Sequence, residues 1–222
     1  MAIEWKVLGR AGADNALHVV VDSGVSRESF LFDCGEGVLA PLRAGEVKAI
    51  AHLAFSHFHM DHIAGFDGFF RLNYNRADAP VTVWGPPGTV DLMTHRFRGF
   101  VWNLHAGQAG EWIVREIGET SLATARFLTR EAFEPAHHQP GQRRLGSLLH
   151  RDTSWHLEGR LLPHGLIDSA AYRLVESPRQ NIDVAAMKRH NFLPGPWLRQ
   201  VVEATGEENE SLVEIAGRSR RV

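Results

Sequence analysis

The chain has 222 residues, 44% of them apolar, and a formal net charge of -2. This composition predicts one globular domain with a sizeable core, and the near-neutral charge gives no global sign of a nucleic-acid partner. No run approaches the roughly eighteen apolar residues of a membrane helix, and no signal-peptide pattern opens the chain, so we expect a cytoplasmic protein without a membrane partner. The single cysteine, Cys34, excludes an intrachain disulfide and a cysteine-based zinc site. Histidine and carboxylate side chains are therefore the available metal ligands.

The first third of the chain alternates apolar runs that are rich in β-forming residues with glycine-containing turns. Residues 17–22 and 29–34 are predicted to pair as a hairpin. Leu39 and Leu42 then fall at helical spacing, and Gly45 suits the end of that helix.

Two further strand and helix units follow. Residues 49–57 are apolar on both alternating faces, which is typical of a central strand that is covered on both sides. A helix is predicted over 61–74, a strand over 81–84, and a second helix over 89–97 after a Gly-Pro-Pro-Gly turn. Strands that alternate with helices predict a layered α/β fold.

Beyond about residue 110 the strand signals come closer together, over 111–117, 124–128 and 155–164, and we expect largely antiparallel pairing. Residues 177–200 carry no long apolar run and contain several prolines, which indicates an exposed, partly helical, arm-like excursion. We therefore predict a single domain over 1–222 that includes this arm.

The stretch 56-SHFHMDHIAG-65 concentrates metal-ligand side chains. His57 and His59 are two residues apart at the end of an extended segment, so their side chains project to the same side. Asp61 and His62 lie at the turn into the next helix and can face a second ion. A catalytic zinc has about three protein ligands and one open position. Two metals roughly 3.5 to 4 Å apart can stabilise both the attacking and the leaving oxygen when a phosphodiester is cleaved. The cluster predicts a metal-dependent hydrolase.

Two carboxylates near the end of the predicted strand 29–34 allow two interpretations. Asp33 and Glu36 can face the cluster and orient a ligand histidine through a hydrogen bond. Formation of the turn that follows the strand explains the same two residues equally well.

Several motifs together resemble the metallo-β-lactamase superfamily and, within it, the ribonuclease Z family of tRNA 3′-processing endoribonucleases. They are LGRAG near the start, LFDCGEG at 31–37, FSHFHMDHIAGFDGFF at 55–70, VWGPPG at 83–88, PHGLIDSAAYRLVE at 163–176 and LPGPWLRQV at 193–201. The resemblance implies a four-layer αββα sandwich, here its N-terminal part, with a small protruding arm.

The resemblance also implies site residues and a reaction. His57, His59 and His164 would bind one zinc ion, Asp61 and His62 would bind another, and Asp61 would accept the proton of the attacking water. The reaction implied is hydrolysis of the phosphodiester after the discriminator nucleotide of precursor tRNA, which releases the 3′ trailer.

The implied partner is precursor tRNA, whose acceptor stem is read through its backbone and shape rather than its bases. Basic side chains of the arm would then contact phosphates, and the candidates are Arg179, Lys188 and Arg189. Homodimerisation is left open.

The family pattern includes later elements without a counterpart in this sequence: a Gly-Asp-Thr strand whose aspartate bridges the metals, a histidine element proposed as general acid, and a last histidine ligand. The chain's one Asp-Thr pair, Asp152-Thr153, precedes His164, and no histidine follows Trp197. We therefore expect one complete zinc site, a second site that is weak or empty, and a chain that is the N-terminal portion of a longer hydrolase.

Two alternative functions stay open. The motifs do not determine the substrate, so the protein could hydrolyse a different phosphodiester or an ester. The ligand deficit is also compatible with a catalytically silent protein that binds zinc or RNA.

Overall fold

The structure is a computed structural model that describes residues 2–24, 26–144, 146–177, 182–199, 212–215 and 218–221. The chain divides into two compact units, Met1–Val175 and Glu176–Val222. The strands are β1 (Ala2–Gly9), β2 (Asn15–Asp22), β3 (Arg27–Phe32), β4 (Ile50–Ala54), β5 (Val81–Gly85), β6 (Glu111–Ile117), β7 (Ser121–Leu128), β8 (His137–His138), β9 (Gln142–Arg143), β10 (Leu148–Arg151), β11 (Trp155–His164), β12 (Ile167–Glu176), β13 (Leu212–Ile215) and β14 (Arg218–Arg221). The helices are α1 (Ala44–Ala49), α2 (Met60–Ile63), α3 (Phe66–Asn73), α4 (Thr89–Phe97) and α5 (Val184–Arg189).

A large mixed sheet runs through the first unit in the order β1-β2-β3-β4-β5-β6-β7, and both β8 and β9 pair with β7. The central pairs β3–β4, β4–β5 and β5–β6 are parallel, and the outer pairs are antiparallel. Because parallel strands end at the same edge of the sheet, the loops after β3, β4 and β5 meet there. The cluster at 56–65 follows β4 and therefore lies at this edge.

Alternating residues of the central strands face two different cores. Leu53 and Val83 belong to a core that helices α1, α3 and α4 complete, whereas Ala54 and Trp84 belong to a second core on the other face. The second core is closed by the three-stranded sheet β10-β11-β12, for example through Trp155. The first unit thus stacks helices, a large sheet and a small sheet, as the predicted layered α/β fold requires.

The predicted helix around Leu39 and Leu42 is wrong, because the chain forms turns there and α1 begins only at Ala44. Pro41 explains the difference, since a proline disfavours the helical conformation in the residue before it and has no N–H to donate. Gly45 lies in the first turn of α1 rather than at a helix end.

The helix predicted over 61–74 is two helices, α2 and α3, separated at Gly65. The Gly65 N–H donates a hydrogen bond to the carbonyl of Cys34 at 2.9 Å, outside the helical pattern. The carbonyl oxygen of Gly35 lies 2.2 Å from the position that a Cβ on Gly65 would occupy. A glycine at this position therefore lets the loop after β3 pack directly on the cluster.

The second unit contains the helix α5 and an antiparallel hairpin of β13 and β14. Asp183 caps α5, because its Oδ1 accepts a hydrogen bond from the Ala186 N–H at 2.9 Å. Among the helices of the described ranges, none is long and apolar enough to cross a membrane. The single domain over 1–222 and the arm over 177–200 remain predictions.

Candidate metal centre

Three histidines converge at the carboxyl edge of the large sheet. His57 Nε2 lies 3.1 Å from His59 Nδ1, and the His164 ring centre lies 4.8 Å from that of His57 and 5.5 Å from that of His59. One ring nitrogen from each of the three lies within 4.8 Å of the others. The structure thus brings together the histidines that the family resemblance assigned to one zinc ion.

His164 reaches the cluster because the small sheet is anchored to the end of β4. The Ala170 N–H donates to the Ser56 carbonyl at 2.7 Å, and the Tyr172 hydroxyl donates to the Phe55 carbonyl at 2.8 Å. Burial raises the pKa of Tyr172 well above its ordinary value, so its hydroxyl remains a neutral donor. Gly165, with a φ of +63°, forms the tight turn that follows His164.

Asp33 and Ser56 form hydrogen bonds with the Nδ1 atoms of His62 and His57, respectively. The Asp33 carboxylate accepts hydrogen bonds from the Ser56 N–H and the Ser56 hydroxyl, both at 2.7 Å, and from His62 Nδ1 at 2.8 Å. His57 Nδ1 lies 3.0 Å from the Ser56 hydroxyl oxygen, to which it can donate. Because both Nδ1 atoms are engaged in this way, the Nε2 atoms of His57 and His62 remain available to bind a metal.

Asp61 lies beside His62 at the mouth of the cluster. Its Oδ2 is 3.4 Å from His62 Nε2, and 61% of its side chain is exposed. The two residues that the sequence assigned to a second ion are therefore adjacent. Their carboxylate oxygen and imidazole nitrogen form only two protein ligands.

Glu36 is not part of this arrangement. Its side chain is exposed, and over the described ranges its carboxylate makes no hydrogen bond to a cluster histidine. The Glu36 N–H instead donates to Asp14 Oδ2 at 2.6 Å, which fastens the loop after β3 to the loop before β2. Sequence reasoning singled out neither Asp14 nor Ser56, although the position of Ser56 directly before the histidine motif was a usable signal.

The electrostatics around His57 favour the neutral form of its imidazole. Burial lowers the pKa of His57, and the adjacent His62 and His59 lower it further, against a smaller opposite effect of Asp33. Neutral imidazole is the form that binds a metal ion. In the part of the chain that the structure describes, no hydrogen bond engages the ring nitrogens of His164. Three imidazole nitrogens that converge in this way fit a zinc ion.

Replacement of Asp33 by asparagine should weaken zinc binding about 10- to 100-fold, the range for losing a group that orients a metal ligand. Asparagine keeps the left-handed backbone conformation of Asp33, whose φ is +59°, but offers one acceptor oxygen in place of two. Competition with a chelator of known zinc affinity measures the change. Asp91→Asn on the exposed face of α4 is the control and should leave affinity unchanged; equal affinities for both variants would contradict the orienting role of Asp33.

Comparisons with known proteins identify relatives of this chain. Ribonuclease Z from Deinococcus radiodurans is 41% identical in an alignment of 224 positions, gaps included, which covers 96% of this chain and 62% of that protein. Ribonuclease Z from Halorubrum lacusprofundi is 44% identical over 71 residues, 30% of this chain and 23% of that protein. The chain therefore spans less than two thirds of the length of these relatives.

Some solved structures are also similar to part of this chain. Human tRNase Z, short form, is 23% identical with a TM-score of 0.44, over 79% of this chain and 65% of that one. A metallo-beta-lactamase fold protein from Bacillus subtilis is 14% identical with a TM-score of 0.47, over 78% of this chain and 58% of that one. Residues 28–160 match the family described as "Beta-lactamase superfamily domain". Because this match covers more than half of the chain and includes the histidine motif, the protein belongs to the beta-lactamase superfamily, as the sequence motifs predicted.

Proposed function

We propose that this protein is a zinc-dependent phosphodiester hydrolase that removes the 3′ trailer from precursor tRNA in the cytoplasm. The observation that carries the proposal is the identity of 41% to a ribonuclease Z over 96% of the chain. The convergence of His57, His59 and His164 supports it, since these three nitrogens can hold one zinc ion and leave a position open. When bound, zinc supplies Lewis-acid chemistry at neutral pH.

The side chains around the cluster would then have distinct roles. Asp61, exposed at the mouth of the cluster, accepts the proton of the attacking water. Asp33 keeps a proton on His62 Nδ1 and so presents His62 Nε2 to an ion. Asp61 and His62 alone are fewer than the roughly three protein ligands of a catalytic zinc, so the second ion is held weakly by the described residues.

Recognition of tRNA would use the backbone of the acceptor stem. Lys188 and Arg189 are exposed in the last turn of α5, where they can contact phosphates. Arg189 Nη2 lies 3.7 Å from Asp183, and at this exposed position that pair holds it only weakly. The third candidate, Arg179, lies outside the described residues, and homodimerisation also stays a prediction.

Cleavage of a precursor tRNA with a short 3′ trailer by the zinc-loaded protein tests the proposal. We expect one cut after the discriminator nucleotide, and we expect Asp61→Asn to reduce the rate at least 100-fold, because general base catalysis typically contributes about 10²- to 10⁴-fold. Asp67→Asn, an exposed change on α3, is the control and should cut at the wild-type rate.

Other outcomes of this cleavage assay would support one of the two alternative functions. If the zinc-loaded protein binds precursor tRNA and does not cut it, the chain as given is a silent binder. If it hydrolyses bis(p-nitrophenyl) phosphate and leaves the tRNA intact, it acts on a different phosphodiester.

A further inference from the structure

A cavity of about 650 Å³ opens beside the candidate metal centre. His59 forms part of its wall, so the cavity is continuous with the histidine cluster. Its other walls come from three loops: the histidine motif contributes Phe58, the turn between β5 and α4 contributes Pro86 and Pro87, and the β11–β12 hairpin contributes residues 163–168 except His164.

The walls of this cavity are largely apolar. Phe58 is held in place, because its ring packs on Phe55 at 5.5 Å between centres and its Cζ lies 3.1 Å from where a Cβ on Gly85 would be. The hairpin brings Leu166, which is fully exposed, and Ile167, which is 41% exposed. Apolar walls with a few polar groups are typical of sites that bind a small ligand group.

The charges of the cavity disfavour a phosphate as its occupant. No lysine or arginine lines it among the described residues, and Asp168 supplies its one carboxylate. A phosphodiester would be repelled by Asp168 and belongs at the histidine cluster instead. A flat neutral ring that carries N–H donors fits both the apolar walls and the acceptor.

We propose that this cavity binds the nucleobase next to the scissile phosphodiester, with Phe58 stacked on the base and Asp168 accepting a hydrogen bond from its exocyclic amino group. The proposal rests on the function proposed above, because only a nucleic-acid substrate carries a base to this position. Stacking tolerates every base. Asp168 favours bases that carry an exocyclic amino group, and guanine most, because its amino group and its N1–H can donate together to one carboxylate. Uracil has no amino group and offers the carboxylate only its N3–H.

Binding of guanosine 5′-monophosphate and uridine 5′-monophosphate to the zinc-loaded protein, measured by calorimetry, tests the subsite. Phe58→Ala should weaken binding of the guanosine nucleotide about 5- to 150-fold, the loss expected from removing one stacking partner, whereas Phe58→Tyr should retain binding. Asp168→Ala should abolish a preference for guanosine over uridine of about 10-fold or more. Inorganic phosphate is the control probe, and its affinity should not change because it reports on the metal centre alone.

Two results would overturn the subsite. The first is that Phe58→Ala, Leu166→Ala and Asp168→Ala all bind the guanosine nucleotide within about twofold of the wild-type affinity. The other is a loss of affinity that inorganic phosphate shares equally in all three variants, since the substitutions would then act through the metal centre. Val101→Ala, an exposed apolar change outside the cavity, should behave as wild type.

Failure of the subsite can be told apart from failure of the proposed function. Nucleotide binding that depends on Phe58, in a protein that leaves precursor tRNA uncut, supports the subsite and contradicts the proposed hydrolase. Normal cleavage of precursor tRNA by all three variants, with unchanged nucleotide binding, supports the hydrolase and contradicts the subsite.

Discussion

Replacement of His57 by alanine should lower the affinity of the cluster for zinc by more than roughly 100-fold. Loss of a residue that only orients a metal ligand already costs about 10- to 100-fold, and His57 would be a ligand itself. The substitution removes the Nε2 atom that lies 3.1 Å from His59 Nδ1, so His59 and His164 remain as two nitrogens, fewer than a zinc site requires. The protein should then no longer retain stoichiometric zinc.

Zinc content after dialysis, together with chelator competition, measures this change. His164→Ala should give the same loss even though the residue lies on a different sheet, because its ring nitrogen completes the same set. His95→Ala is the control, since His95 is exposed on α4, where its Nδ1 contacts the Asp91 carbonyl. Stoichiometric zinc in His57→Ala, or equal losses in all three variants, would disprove the ligand assignment.

Replacement of Gly65 by alanine should destabilise the protein by about 1–3 kcal/mol or more, the typical effect of overpacking. The new Cβ would lie 2.2 Å from the Gly35 carbonyl oxygen and 3.1 Å from that of Cys34, and neither backbone atom can rotate away. The loop after β3 would have to move away from the cluster. Because that loop carries Asp33, zinc affinity should fall together with the free energy of unfolding.

Urea unfolding with and without zinc measures both effects, and Gly68→Ala is the matched control. Gly68 lies within α3, three residues further on, and a Cβ there would meet no atom within 4 Å. Alanine has the higher helix propensity, so Gly68→Ala should stabilise the protein by up to about 1 kcal/mol. If both alanine variants had the stability of the wild type, the close approach of the two loops would not be the reason for glycine at position 65.

Local sequence patterns were sufficient to predict those helices and strands whose own residues favour the conformation. Helix α4 runs from Thr89 to Phe97, as its apolar spacing predicted, and β6 spans 111–117, as its residues indicated. Local patterns failed where a contact between distant segments decides the conformation. The helix break at Gly65 depends on the Cys34 carbonyl, and the motif gives no local sign of that contact.

The sequence by itself determined the chemistry of the candidate site. The sequence predicts a metal centre that can support hydrolysis, because it offers imidazole and carboxylate ligands without a cysteine alternative. Two of its histidines are spaced by two at a strand end, and Asp61 and His62 follow at the next turn. These properties depend on residue type and short spacing, which sequence shows directly.

Only the tertiary structure decided which other residues serve this centre. Asp33 and Glu36 were equivalent in the sequence, yet Asp33 accepts hydrogen bonds from Ser56 and His62, whereas Glu36 lies exposed. The difference arises from the left-handed backbone of Asp33 and from the close packing of two loops, which no local pattern encodes. The position of His164 beside the other two histidines likewise depends on how the small sheet packs on the large one.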